Sequence, residues 1–143
     1  MTTRTSRTTT VDAPIEAVWS FIADPVERAN AISVVDRFER RDDEGRRVTW
    51  HVRLPIPFVS STVPVETEEL ERDPPSFVRF VGRSSVFTVE GTHELEAADD
   101  GATRLTSRFV VDGRVPGVET FFKRNLDGEL DNLERALRAK VAP

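Results

Sequence analysis

The chain has 143 residues and a formal net charge of −5, with 20 lysines and arginines against 25 aspartates and glutamates. This length predicts a single domain over residues 1–143, and the acidic balance disfavours a nucleic-acid partner. The absence of cysteine excludes disulfides, thiol nucleophiles and metal sites built on thiolates.

The first third of the chain is predicted to form one strand and two short helices. Its opening residues contain no apolar run of the signal-peptide kind, and no later stretch is apolar for long enough to span a membrane, so a cytoplasmic protein is expected. Thr5–Val11 is rich in β-branched threonine and predicts a strand. Pro14 begins a helix, and Asp24-Pro25-Val26-Glu27 predicts the capped start of a second helix that ends near Ala31.

The remainder of the chain is predicted to form six strands and one long helix. The strands are expected at Val34–Arg41, Arg46–Leu54, Val63–Arg72, Phe77–Arg83, Val86–Ala97 and Thr103–Asp112. Short polar turns connect them, so neighbouring strands should pair antiparallel. The helix, from about Pro116 to Val141, has an apolar stripe made by Val118, Phe122, Leu126, Leu130, Leu133 and Leu137. A helix of this length crosses a whole curved sheet and leaves a space between the two, where we expect the function to lie.

The chain resembles the START-like superfamily in several segments and in its last helix. These are Val11–Trp19 followed by Asp24-Pro25, then Leu70–Pro75, Asp100–Thr106 and the helix Phe121–Leu137. The resemblance is strongest to the small members labelled polyketide cyclase/dehydrase-like or CoxG-like. It implies an α+β helix-grip fold (β-α-α-β6-α) in which a seven-stranded antiparallel sheet wraps around the C-terminal helix, with an apolar cavity between them. Members range from lipid carriers and hormone receptors to cyclases and assembly factors, so the function has to be argued from the site.

Glu129 is the side chain that stands out most on the predicted helix. Its direction falls inside the apolar arc that should face the sheet. A carboxylate there reaches the rim, pairs with an arginine of a strand, or enters the cavity as a general acid, a general base or a ligand contact. Asn125 and Asn132 lie along one edge of the same arc, where they form a polar seam with Glu129 or are simply half-exposed edge residues.

His93 is the only histidine in phase with an inward strand face. It is interpreted either as a general base or hydrogen-bond donor in the cavity, or as a core histidine whose nitrogens are satisfied. His51 alternates out of phase with its apolar neighbours and is expected to face solvent. The two histidines lack the spacing of a metal site, so no metal and no cofactor are predicted.

The candidate ligand-binding cavity combines these polar groups with a bulky apolar lining. Its predicted residues are Trp50, Phe87, Val89, His93, Phe109, Phe122, Asn125, Leu126, Glu129, Asn132 and Leu133. Such a set is also an ordinary core, because periodicity alone does not show whether it encloses a void. A proline-broken apolar stretch is interpreted as a lid over the cavity, a patch for a membrane or partner, or a packed end of the barrel. Its apolar residues are Leu54, Ile56, Phe58 and Val59.

Three functions remain open from the sequence. The preferred hypothesis is a carrier of a small hydrophobic molecule, such as a lipid, an isoprenoid or a polyketide-like ligand, held by burial of apolar surface. The second is a cyclase or dehydratase with Glu129 or His93 as the base, which requires both side chains to converge on one point of the cavity. The third, implied by the CoxG-like resemblance, is an accessory factor that binds a redox enzyme or a membrane. A protein partner and a homodimer are both compatible with the sequence.

Overall fold

The computed structural model of the protein describes residues 2–44, 46–54 and 62–142. Its elements are β1 (Thr2–Val11), α1 (Ile15–Ile22), α2 (Pro25–Ala31), β2 (Val35–Arg40), β3 (Arg47–Val52), β4 (Val63–Asp73), β5 (Phe77–Arg83), β6 (Phe87–Ala97), a 3₁₀ turn (Asp99–Gly101), β7 (Thr103–Gly113) and α3 (Val118–Val141). This order and the sheet it forms confirm the predicted α+β helix-grip architecture. Within the described ranges, no helix combines the length and the apolar character that a membrane crossing requires.

The seven strands form one antiparallel sheet in the order β1-β7-β6-β5-β4-β3-β2. Strands β2 to β7 are therefore neighbours in sequence and in space, whereas β1 comes from the beginning of the chain to pair with β7 at the edge. β1 begins earlier than the predicted Thr5, because Thr2–Arg4 pair with Val110–Asp112 at the end of β7. This extension depends on a distant partner strand, so local sequence preference does not reveal it.

The two helix boundaries nearest the cavity have local causes. The Asp24 carboxylate accepts a hydrogen bond from the Val26 N–H at 2.9 Å, which confirms the predicted cap of α2. α3 begins at Val118 and not at the predicted Pro116, because Gly117 adopts a φ of 95°, a left-handed conformation that glycine reaches without a side-chain clash. At about 1.5 Å per residue, the 24 residues of α3 extend about 36 Å across the sheet.

The buried apolar side chains form two clusters along α3. The first, which we call the packed cluster, joins α1 and the sheet to the second half of α3. Its members include Val18, Phe21, Ile22, Leu95, Leu105, Leu133 and Leu137. The second, which we call the cavity cluster, reaches the start of α3. It contains Val52, Leu54, Val63, Val65, Val86, Phe87, Val111 and Val118.

Polar side chains attach the second half of α3 to the edge strand β1. Three contacts follow one another along both elements: Arg7 to Asp131 at 2.5 Å, Thr9 to Glu134 at 2.8 Å, and Arg138 to the carbonyl oxygen of Thr10 at 3.1 Å. We call this set the β1–α3 ladder. Surface contacts of this kind each contribute little free energy, but their order fixes the direction of α3 along the strand.

Candidate functional site

A cavity of about 110 Å³ lies between the sheet, α2 and α3. Its walls are mostly apolar and aromatic side chains from β3 to β7 and from the first half of α3. About 10–15 Å³ of such space holds one water molecule, so the cavity has room for several atoms of a bound molecule. Pockets for drug-sized ligands enclose about 300–1,000 Å³, so a ligand of that size requires the walls to move apart.

The structure brings most of the predicted site residues to this one cavity. Those that line it are Trp50, Phe87, Val89, His93, Phe109, Phe122, Asn125, Leu126, Glu129 and Leu133. Asn132 is not part of the wall and contacts Glu129 instead. In the predicted lid, Leu54 is buried in the cavity cluster, whereas Ile56, Phe58 and Val59 lie outside the described residues.

Glu129 lies at the cavity wall with its carboxylate engaged by neighbouring groups. The backbone N–H of Ser33, in the loop between α2 and β2, donates to Oε2 at 2.8 Å, and the Ser33 hydroxyl donates to Oε1. The Asn132 amide also donates to Oε1, at 3.1 Å. The partner is thus a loop serine and not the strand arginine considered from the sequence. Asn125 is exposed at the edge of the cavity and donates to the Phe121 carbonyl at 2.8 Å.

His93 is fully buried on β6 and faces the cavity. Its Nδ1 lies 2.8 Å from the Ser107 Oγ on β7, while its Nε2 has no hydrogen-bond partner among the described residues. Burial and, to a lesser extent, the positive charge of Arg28 lower the pKa of His93 to about 3. The imidazole is therefore neutral at neutral pH.

Gly91 makes room for the two aromatic rings that flank His93. It pairs with Phe80 on β5 and with Phe109 on β7. A Cβ atom at Gly91 would lie 2.4 Å from the Phe80 ring and 3.0 Å from the Phe109 ring. The centroid of the Phe80 ring lies 5.8 Å from that of His93 in a stacked arrangement, and Phe109 meets His93 edge-on at 5.7 Å. These contacts restrict the orientation of the imidazole.

Arg28, on α2, is a cavity residue that sequence reasoning missed. It is only 6% exposed, and its guanidinium carbon lies 5.1 Å from the centroid of the Phe80 ring. Its Nη1 donates to the Ile22 carbonyl at the end of α1, whereas its Nε has no partner within the part of the chain that the structure describes. A helix of seven residues has too little periodicity to identify a buried face, and arginines are usually exposed.

The charge of Arg28 is balanced only from a distance. Burial lowers the pKa of Arg28 to about 10 against the attraction of Glu69, so the guanidinium is positively charged at neutral pH. Glu69, buried on β4, forms its own ion pairs with Arg72 at 2.6 Å and with Arg46 at 3.9 Å. Among the described residues, no carboxylate oxygen lies within 4.0 Å of a guanidinium nitrogen of Arg28, which is the distance that defines an ion pair. A buried cation therefore borders an apolar cavity.

The other histidine lies away from this site. His51 Nε2 is 2.9 Å from the carboxylate of Glu39 on the neighbouring strand β2. Across residues 2–44, 46–54 and 62–142, no group of three or more histidine, aspartate or glutamate side chains is arranged to hold a metal ion. The chemical character of the site is thus set by an apolar wall, a neutral imidazole and a buried guanidinium.

Comparisons with known proteins match almost the whole chain. The family model described as polyketide cyclase/dehydrase and lipid transport matches residues 2–138. A conserved protein from Geobacillus kaustophilus has a similar structure, with a TM-score of 0.80 and 15% identity over 98% of this chain and 95% of that chain. A START superfamily protein from Mycobacterium smegmatis has a TM-score of 0.74 and 17% identity over 96% of both chains. The Zhui aromatase/cyclase from Streptomyces sp. R1128 has a TM-score of 0.74 and 18% identity over 99% of this chain and 98% of that chain. No curated protein sequence matches the chain.

Proposed function

Because this chain belongs to the polyketide cyclase/dehydrase and lipid transport family, we propose that it carries a small hydrophobic molecule in the cavity between the sheet and α3. The observation that supports this most directly is the cavity itself, a space of about 110 Å³ with an apolar wall in the middle of the fold. Burial of ligand surface against such a wall is favourable by about 25 cal/mol per Å². The cavity therefore provides a driving force for binding without any chemical step.

The aromatic side chains of the wall favour a flat or flexible apolar ligand. Phe87 on β6 meets Phe122 edge-on with centroids 5.1 Å apart, and Phe121 meets Phe122 in the same way at 5.3 Å. Trp50 adds an indole from β3. Aromatic rings offer large apolar contact surfaces with few rotatable bonds, so little conformational entropy is lost when a ligand packs against them.

A cavity-filling substitution tests the location of binding. The neutral apolar fluorophore N-phenyl-1-naphthylamine is expected to bind the wild type with increased fluorescence. Leu126→Phe adds volume to the cavity wall and should weaken that binding by about tenfold or more, because the added ring takes the space of the ligand. Leu70→Phe is the matched control, since Leu70 is exposed on β4, and it should bind the fluorophore as the wild type does.

Unchanged binding by Leu126→Phe would contradict the proposal, because the fluorophore would then lie elsewhere. Melting temperatures of both variants show whether they are folded. Native mass spectrometry of the protein purified from its own host, followed by solvent extraction, would identify the natural ligand. A stoichiometric apolar adduct is the expected result.

A cyclase or dehydratase activity has less support from the same site. The Nε2 of His93 has no hydrogen-bond partner among the described residues, but it is buried away from the open surface of the cavity. Burial also lowers the pKa of His93 to about 3, which makes it a weak base at neutral pH. The Glu129 carboxylate already accepts hydrogen bonds from Ser33 and Asn132. Neither group combines the freedom and the basicity that proton abstraction from a bound substrate requires, so we favour the carrier.

A further inference from the structure

The described wall of the cavity offers only apolar surface to a molecule inside it. Six of the lining residues have polar side chains, namely Arg28, Trp50, Thr67, His93, Asn125 and Glu129. The surface that borders the empty space is nevertheless formed by apolar atoms alone. The nitrogen and oxygen atoms of these six side chains are therefore withdrawn from the space that a ligand occupies.

Three of the six side chains have their polar atoms bound to other groups of the protein. The Glu129 carboxylate accepts hydrogen bonds from Ser33 and from Asn132. The Asn125 amide donates to a backbone carbonyl of its own helix at 2.8 Å, and the Thr67 hydroxyl donates to a backbone carbonyl of β3 at 2.6 Å. These three residues therefore contribute only apolar atoms to the surface of the cavity.

The other three side chains have nitrogen atoms that are buried within the protein. Nε2 of His93, Nε of Arg28 and Nε1 of Trp50 have neither a hydrogen-bond partner among the described residues nor surface open to the cavity. The Phe80 ring contacts two of these side chains, since it stacks on His93 at 5.8 Å and lies 5.1 Å from the guanidinium carbon of Arg28. A molecule in the cavity therefore does not reach these nitrogen atoms.

A wall of this kind holds neither water nor the polar groups of a ligand. A buried water molecule needs about two to four polar partners, and the described wall supplies none. A hydroxyl, carbonyl or charged group likewise loses its hydrogen bonds to water on entry and gains none in return. An engineered apolar cavity of about 150 Å³ stays dry and binds benzene. The volume of about 110 Å³ in this protein is therefore close to that of one ring.

We propose that the cavity selects a hydrocarbon group about the size of one aromatic ring and rejects molecules that bury a hydroxyl, a carbonyl or a charge there. This inference rests on the proposed function, because it names the class of molecule that the same cavity carries. The selection works by rejection: hydrocarbons and polar molecules of equal size gain similar contacts, but only the polar molecules lose hydrogen bonds to water. A larger ligand places its hydrocarbon part in this space and keeps its polar groups outside.

Toluene and phenol test this selection. They have nearly the same size, they differ only in a methyl and a hydroxyl group, and both are uncharged at pH 7. NMR titration of the methyl groups of the protein, in sealed tubes, measures both Kd values and shows which side chains each ligand contacts. Toluene is expected to bind about 100-fold more tightly than phenol, because a hydroxyl buried without a partner loses its hydration. The methyl signals of Val89 and Leu126, which line the cavity, are expected to shift.

A hydroxyl placed in the wall should weaken the selection. Val89→Thr replaces a methyl group of a lining side chain on β6 by a hydroxyl of nearly the same size. It should reduce the preference for toluene by about fivefold or more, because phenol gains a hydrogen bond at the wall. Val110→Thr is the matched control. Val110 lies on β7 between two lining residues and does not itself line the cavity, so this variant should retain the full preference.

The outcomes distinguish this inference from the carrier function beneath it. A preference for toluene of less than about tenfold, or one that Val89→Thr leaves unchanged, overturns the hydrocarbon selection and leaves the carrier function standing. Binding of N-phenyl-1-naphthylamine without any binding of toluene has the same meaning. If none of the three molecules binds, the carrier function falls together with the selection. The comparison of toluene with phenol in the wild type decides between these results even if a variant fails to fold.

Discussion

His93 is buried without a compensating charge, and this has a consequence for stability in acid. An unfolded histidine has a pKa of about 6.5, whereas burial lowers the pKa of His93 in the folded state to about 3. Between these values the unfolded state binds a proton that the folded state does not. The free energy of unfolding therefore decreases as the pH falls through this window, by up to about 1.4 kcal/mol per pH unit from this group alone.

A comparison of wild type with His93→Gln isolates this contribution from that of the carboxylates. Glutamine does not titrate and can still hydrogen-bond to Ser107. Between pH 7 and pH 4.5 the wild type should lose about 2–3 kcal/mol more stability than His93→Gln, measured by urea unfolding at both pH values. Equal losses in the two proteins would show that His93 is protonated in the folded state.

Gly128 and Gly91 differ in what their missing side chains permit. Apart from the chain neighbours of Gly128 and the backbone of its own helix, no atom of the described residues lies within 4 Å of a Cβ built there, so alanine fits without a clash. Gly128→Ala should increase the free energy of unfolding by about 0.5–1 kcal/mol, because alanine has the higher helix propensity.

Gly91→Ala should instead decrease the free energy of unfolding by about 1–3 kcal/mol, since the Phe80 ring must move from its contact with His93. Urea unfolding measures both, and a destabilised Gly128→Ala would refute the first expectation.

Individual site residues were predictable where a regular element determines their direction. β6 alternates strictly, so its sequence places His93 on the inward face. The partner of Glu129 was not predictable, because Ser33 lies 96 residues earlier in the chain and the contact depends on how α3 meets the α2–β2 loop. Arg28 was missed because a charged residue is normally exposed, and nothing in the nearby sequence shows that Phe80 covers it.

At the scale of elements, the alternation of inward and outward positions along a strand predicts burial better than the hydrophobicity of each residue does. On β4 the inward series Val63, Val65 and Thr67 continues to Glu69, which is buried, while the next residue, Leu70, is 39% exposed. The register then shifts between Glu69 and Glu71. A strand therefore keeps its period even where this buries a carboxylate and exposes a leucine, and the ion pair with Arg72 stabilises the buried charge.

The contact between Glu129 and Ser33 joins α3 to the α2–β2 loop, and its removal should affect stability. Glu129→Ala removes the acceptor of the backbone N–H and the hydroxyl of Ser33. Because Ser33 is exposed and water can take the place of the carboxylate, the free energy of unfolding should fall by about 0.5–1.5 kcal/mol. Lys123→Ala is the control on the same helix, because the Lys123 side chain is exposed at its ion pair with Glu119, and it should change stability by less than about 0.5 kcal/mol.

Chemical denaturation of both variants and of Glu129→Ala combined with Ser33→Ala measures the coupling between the two side chains. The double variant should lose less than the sum of the two single losses, because the hydroxyl contact is removed only once. Wild-type stability in Glu129→Ala would show that the contact contributes nothing to the folded state.

On the scale of the whole molecule, the interior is divided into a packed end and a hollow end. Leu137 is fully buried in the packed cluster, whereas Leu126 is half-buried at the cavity. Leu137→Ala should cost about 2–5 kcal/mol, because it opens a void in a filled core. Leu126→Ala should cost less than about 1.5 kcal/mol, because its neighbours already border empty space. Urea unfolding of both variants tests this, and equal losses would mean that the two ends are packed alike.

The architecture of the molecule was predictable to a greater extent than its interior volume. Hydrophobic periods and turn residues determine the number and order of the elements, and these in turn limit how the sheet and α3 can pack. The volume of about 110 Å³ depends on small differences between the curvature of the sheet and the sizes of the rings that fill it. Such differences, for example the space that Gly91 leaves to Phe80 and Phe109, become visible only when three strands are placed side by side.

The β1–α3 ladder limits the motions that are open to the helix. From Arg7 to Thr10 the strand advances about 10 Å, and from Asp131 to Arg138 the helix advances about 10.5 Å, so the contacting residues are spaced alike on both elements. Sliding α3 along its own axis would break every contact of the ladder together. Phe122 and Leu126, in the first half of α3, border the cavity and take no part in the ladder. If α3 moves when a ligand enters, we therefore expect the displacement to be largest at the end that carries Phe122 and Leu126.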